Sequence, residues 1–180
     1  MIKRDFKFVV ELATEFFTQE YIVQRMSLIE SKDISGWEIW LQVEFAMFLE
    51  QHIAVGEWIR EFQYSMDMRS SKKQKYMAID FLVRKRGAKL DQYIAIEIKQ
   101  NKSAASCING MMKDACKISL VKGSEDDIRT MWSLGIHQAL PQEDLENLVN
   151  SYADEYEVQL GPNCIKTKPI ENTNFAFTVF

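Results

Sequence analysis

The sequence predicts an α/β protein: a central mixed sheet of four to five strands flanked by helices, with an extra helix at the N-terminus. Three observations carry that expectation. Residues 93–100 place isoleucine at 94, 96 and 98, alternating with Ala95, Glu97 and Lys99. That is the two-residue period of a strand with one strongly apolar face. Residues 76–84 alternate in the same way, with Met77, Ile79, Phe81 and Val83 on one face and Tyr76, Ala78, Asp80, Leu82 and Arg84 on the other. Around these runs, apolar residues recur at helical spacing, so helices and strands share the chain as they do in layered α/β proteins.

Residues 5–30 read as one helix, with Phe8, Val9, Leu12, Phe16, Ile22, Val23 and Met26 on its apolar stripe. After a break at 33–36, Ser35-Gly36-Trp37-Glu38 has the spacing of a capping box and opens a second helix. That helix should run to about Val55 and stop at Gly56. Inside it Glu44 lies among Trp40, Leu41, Val43, Phe45, Met47 and Phe48. A carboxylate on an apolar stripe needs a bound cation, an arginine partner, or a place at the edge where it meets water.

Residues 57–66 read as a first strand, and the basic stretch with Arg69, Lys72, Lys73 and Lys75 as the loop joining it to the Asp80 strand. Past Lys99 a helix is expected to about Lys122, ending at Gly123, with Ile108, Met111, Met112 and Ala115 toward the sheet. Lys102 precedes this helix, while Lys113 and Lys117 share one of its other faces. A strand over 128–139, a helix opening at Pro141, and one or two short strands from the tail stretches 156–160 and 174–180 complete the chain. His52 and His137 read as structural residues.

The link 85–90 contains Gly87, which suits a turn. Folded there as an antiparallel hairpin, partners have numbers summing to about 176, so Asp80 falls opposite residue 96 or 97. A slip of one residue would send the two apolar sides to opposite faces, which favours the register that joins Asp80 to Glu97. Two carboxylates and Lys99 then share a patch beside the small residues Ala78 and Ala95. Carboxylates that close raise each other's proton affinity unless a cation sits between them. An all-oxygen set on a strand pair suits Mg²⁺ or Mn²⁺.

Composition bounds the rest. At 180 residues the chain has the length of one domain, and 47% hydrophobic with 27% charged residues is the balance of a soluble globular protein. The three cysteines, Cys107, Cys116 and Cys164, contain no CxxC pair, which argues against zinc and fits reduced thiols in a cytoplasm. Lys7, Glu11 and Glu15 interrupt any signal-peptide core, and no apolar run has the length of a membrane span. A net charge of −4 means that contact with nucleic acid must rely on a local basic patch.

Helix with an inward Glu, strand, strand with Asp, strand with Glu-x-Lys, helix, strand: in this order and with these residues, the chain resembles the PD-(D/E)xK nuclease superfamily, the restriction-endonuclease-like fold. The matching residues are Glu44, Asp80 and Glu97-Ile98-Lys99, and the resemblance covers about residues 36–139. The N-terminal helix and the tail look like decoration on that core. Ile79 stands where the motif's name has proline. The resemblance implies a metal-dependent endonuclease acting on DNA, with Mg²⁺ or Mn²⁺ held by Asp80, Glu97 and the Ile98 carbonyl, and Glu44 completing the site. It implies that Lys99 orients the attacking water, that 5′-phosphate and 3′-hydroxyl ends result, and that Lys102, Lys113 and Lys117 are backbone contacts. A homodimer or a partner subunit is expected, and no membrane. The alternative is an inert nucleic-acid- or protein-binding module on the same fold.

Overall fold

Among the described residues the chain forms α1 (Ile2–Phe17), α2 (Glu20–Ser31), α3 (Glu38–Gln51), β1 (Val55–Ser65), β2 (Tyr76–Lys85), β3 (Tyr93–Gln100), α4 (Ala104–Ile118), β4 (Ile128–Gln138), α5 (Gln142–Glu155), β5 (Lys166–Pro169) and β6 (Phe175–Val179). These are the elements of a computed structural model that describes residues 1–65, 76–118 and 128–180. The basic stretch at 69–75 and the expected helix end at Gly123 lie outside the described residues. No helix among those described is long and apolar enough to cross a membrane.

The protein is α/β, with a mixed sheet in the order β1-β2-β3-β4-β6-β5. β3 and β4 are parallel and every other neighbouring pair is antiparallel. Six strands replace the expected four to five, because the tail supplies two. β4 is buried on both faces from Trp132 to His137, so its far edge needs a partner as apolar as β3. β6 meets that need, since all five of its residues are buried.

The other tail strand is not the one at 156–160. There the chain turns off the end of α5, with Glu157 in the left-handed region (φ 53°) and the Val158 N–H donating to the Ala153 carbonyl. Val158 and Leu160 then pack against the α4–α5 cluster instead of pairing in the sheet.

The expected N-terminal helix is two helices. Gln19 is extended (φ −69°, ψ 126°), which breaks the helical ladder and lets both apolar stripes face the sheet. α1 packs into the core: Leu12 and Phe16 have no exposed surface and share a cluster with Phe81, Ile96 and Leu134. α3 stops at Gln51, short of Gly56, because His52 is extended (φ −79°, ψ 121°) and Val55 already begins β1. Its buried stripe is Leu41, Phe45, Phe48 and Leu49, while Ile39, Val43 and Met47 face outward. Helices α1–α3 thus cover the face bearing Ile94, Ile96 and Ile98, and α4 with α5 lies on the other.

The expected alternation in β2 fails at one point. Phe81 and Val83 join the main core, but Ile79 and Met77 pack with Leu82 in the smaller cluster. β1 changes face at the same level, since Ile59 and Tyr64 pack in that same cluster. Opposite Asp80, Glu61 adopts φ 54°, a left-handed conformation costly for a residue with a side chain. The two strands therefore rotate together at Glu61 and Asp80. Glu61→Val is expected to be less stable than Glu61→Gly by about 1–2 kcal/mol, because a β-branched residue tolerates this φ worst. Urea unfolding of the pair checks it; equal midpoints would mean that the backbone relaxes at no cost.

Candidate active site

The β2–β3 ladder pairs Val83 with Ile94, Leu82 with Ala95 and Phe81 with Ile96. Extending that register by one residue sets Asp80 opposite Glu97. The backbone ladder ends here, and side chains take over the freed donors. The Ile98 N–H donates to Asp80 Oδ2 at 2.8 Å, and the Asp80 N–H donates to Glu97 Oε1 at 3.3 Å. The next β3 donor on that side, the Gln100 N–H, is taken by Glu38 Oε2 at 2.8 Å. Buried backbone N–H groups must find acceptors, so the parting of β2 from β3 draws three carboxylates into one gap.

Their proton affinities reflect that crowding. Burial first, and then the charges of Asp80 and Asp114, push the Glu97 carboxyl up to about 9. Glu97 is only 8% exposed. Burial also raises Asp80, against the opposing pull of the Ile98 N–H. The two carboxyls are held close by backbone donors, and the crowding favours a proton on Glu97.

Lys99, two residues beyond Glu97, is held from another direction. Its Nζ lies 3.1 Å from Asp114 Oδ2 on α4 and 3.8 Å from Glu38 Oε1. Gly110, one turn before Asp114, makes room for its stem: a Cβ there would stand 3.2 Å from Lys99 Cγ and Cδ. Burial alone would lower the lysine's proton affinity, but Asp114 and Glu38 together raise it, so the ammonium stays charged.

Of the expected residues, the structure brings Asp80, Glu97, Ile98 and Lys99 together and leaves Glu44 elsewhere. Glu44 Oε1 accepts from Arg25 at 2.8 Å and from the Trp40 indole at 3.0 Å. It sits at the edge of the α3 stripe, paired to α2 rather than turned to the strands. The helix carboxylate at the site is Glu38. The capping-box spacing assigns Glu38 to the helix start, but no side-chain cap forms there. Its carboxylate crosses to β3 because the Gln100 donor has no strand partner. Asp114 was missed as well; its signal was its position one turn after Gly110 on the helix that follows the Glu-x-Lys strand.

Lys102 is exposed and pairs with Asp33 at 2.6 Å, Lys117 pairs with Asp114 at 2.6 Å, and Lys113 is exposed. His137 has no exposed surface; its Nδ1 lies 2.8 Å from the Gln138 carbonyl and its Nε2 2.8 Å from the Thr178 hydroxyl. Burial lowers its proton affinity, as suits a structural neutral histidine. His52 lies 3.0 Å from Glu15.

Among the described residues no three His, Cys, Asp or Glu side chains form a ready metal-ligand group. Mg²⁺ does not require one: it is commonly bound by one or two carboxylates and keeps several waters. Half-buried Asp80 and buried Glu97 meet that need in donor type and number. The chain matches no protein-family model, no curated protein and no solved structure.

Proposed function

We propose that the protein is a Mg²⁺-dependent nuclease that hydrolyses phosphodiester bonds of DNA, on a restriction-endonuclease-like core running from α3 to β4. One observation carries the reading. Where β2 and β3 part, a half-buried Asp80 and a buried Glu97 from adjacent strands lie beside a lysine two residues beyond Glu97. A structural role alone gives no account of a half-buried Asp80 and a buried Glu97 drawn together where the strand ladder ends.

In this reading Asp80, Glu97 and the Ile98 carbonyl hold the ion. The ion supplies a bound water of lowered pKa and stabilises charge on the scissile phosphate. Lys99 contributes a fixed positive charge where negative charge grows, and α4 keeps it aimed through Gly110 and Asp114. Glu38 orders the end of β3 and divides its two oxygens between the Gln100 N–H and Lys99.

Calorimetry with Mg²⁺ or Mn²⁺ tests the centre directly. The wild-type chain is expected to bind, and the double variant Asp80→Ala, Glu97→Ala is not. Nicking of supercoiled plasmid should then depend on the same ion. If neither protein takes up the ion, with or without DNA, the nuclease reading is lost.

The second reading, an inert binding module on this core, is favoured by Lys99 itself. Its ammonium is engaged with Asp114 and Glu38, and the chain's net charge is −4. That reading expects ion binding without cleavage of any DNA, and DNA capture that Lys99→Ala leaves unchanged.

A further inference from the structure

Next to the site lies a cavity of about 400 Å³, between the α2–α3 turn and the C-terminal ends of β3 and β4. The ends of parallel strands are where α/β sheets generally receive ligands. Its apolar side is formed by Ile29, Ile34, Trp37 and Phe175, the two rings packing edge to face at 5.7 Å. Its polar side includes Gln100 and Gln138, with Ser35 and Asn101 beside them. Among the described residues, neither glutamine's side-chain amide has a hydrogen-bond partner. At the mouth stand the carboxylates of Glu30 and Asp33, with Lys102 paired to Asp33 at 2.6 Å.

This lining selects a chemistry. Two free amides beside an apolar slot suit a flat, apolar-faced group with donors and acceptors on its edge, which is a nucleobase. A glutamine amide presents a donor and an acceptor together, the complement of the adenine amino group and ring nitrogen. Of the mouth carboxylates, Glu30 accepts from the Asn174 N–H and Asp33 pairs with Lys102, so the choice of base falls to the two amides. Cavity and site are neighbours along the chain, since Trp37 precedes Glu38 and Gln100 follows Lys99. The two sides are tied by the Gln100 N–H to Glu38 bond.

We propose that this cavity is an adenine pocket, which takes one unstacked base of the substrate strand while the adjoining phosphate lies at Asp80, Glu97 and Lys99. The assignment rests on the nuclease reading for its substrate, but its test does not require cleavage. Drawing a base from its stack costs a few kcal/mol, least in single-stranded or damaged DNA. The pocket therefore directs the enzyme to single-stranded or locally opened substrates.

The test uses the full metal-free chain, with adenosine, AMP, uridine and inorganic phosphate titrated separately. Heat of binding and the Trp37 indole NMR signal are followed. Adenosine and AMP are expected to bind alike, uridine at least about fivefold more weakly, and phosphate alone not to move Trp37. Gln138→Ala should weaken adenosine roughly five- to fiftyfold with unchanged thermal unfolding, since Gln138 lies exposed at the strand end. Asp80→Ala should leave adenosine binding intact. Uridine binding as well as adenosine, no response to adenosine at about 10 mM, or undiminished affinity in Gln138→Ala would each overturn the pocket. Adenosine binding in a chain that binds no Mg²⁺ would keep the pocket and remove the nuclease.

Discussion

Glu97→Gln is expected to stabilise the metal-free protein while abolishing its uptake of Mg²⁺. Burial and the charges of Asp80 and Asp114 raise the Glu97 carboxyl from 4.5 to about 9. A group whose folded pKa is raised contributes its full stability below the unfolded value and loses it as pH rises toward the folded one. The window is therefore pH 4.5 to about 9, and at pH 7 most of the loss has been incurred. Glutamine is neutral throughout. Its oxygen can still accept the Asp80 N–H. The gain at pH 7 is roughly 2–3 kcal/mol, or about 5–10 °C in the unfolding midpoint. Thermal unfolding at pH 5, 7 and 9 without metal measures it, and the difference between the two proteins should grow with pH. With Mg²⁺ the wild type should gain stability and the variant should not. A variant that melts below the wild type at every pH would mean that Glu97 is ionised and satisfied within the fold.

The second large effect lies at the opposite end of the sheet. Asp5 on α1 has no exposed surface, and its carboxylate meets Arg129 of β4, the Thr130 hydroxyl at 3.1 Å and Lys85 of β2 at 3.1 Å. Burial pushes its pKa up, but the hydrogen bonds from Arg129 and Lys85 outweigh burial and hold it below 3.8. Asp5→Ala leaves two partly buried cations facing each other without an anion. The expected cost is about 3 kcal/mol or more, against less than about 1 kcal/mol for breaking the exposed Lys102–Asp33 pair. Urea unfolding of both variants compares them, and similar losses would show that the Asp5 pair is effectively solvated.

The sign of the pH effect here opposes that of Glu97. Asp5 contributes above 3.8 and loses its contribution as pH falls through its lower folded value. His137, kept neutral by burial, acts in the same sense, because protons bind the unfolded chain first as pH drops below about 6.5. Asp5→Ala should therefore weaken the acid sensitivity that the wild type shows below pH 3.8.

How much of this was legible follows from how local each signal is. The Asp80–Glu97 meeting was readable because β2 and β3 are joined by a short turn and their apolar alternation fixes register between Phe81 and Val83. The lysine came with it, two residues along one strand. Glu38 was not readable, because its role is set by a backbone donor that becomes free only where the two strands part. Glu44 misled for the complementary reason: a carboxylate among apolar residues looks committed to the interior, and its partner Arg25 lies on a helix that periodicity had merged with α1. The face switch at Asp80 depends on Glu61 of the neighbouring strand, so neither sequence run contains it alone. β6 was readable as a strand from its alternation, but its neighbour was not, because strand order depends on which edge remains uncovered.

The tie between Asp5 and Arg129 also bears on the order of folding. The partners are 124 residues apart in the chain, so closing that loop costs several kcal/mol of chain entropy before any contact rewards it. The β2–β3 hairpin closes over a few residues and has no such delay. The hairpin is thus suited to the folding nucleus, and the Asp5 tie to the last step. Loss of Asp5 should then speed escape from the native state while leaving the rate of reaching it nearly unchanged. The anion on the first helix works as a latch on a finished sheet rather than as a guide to its assembly.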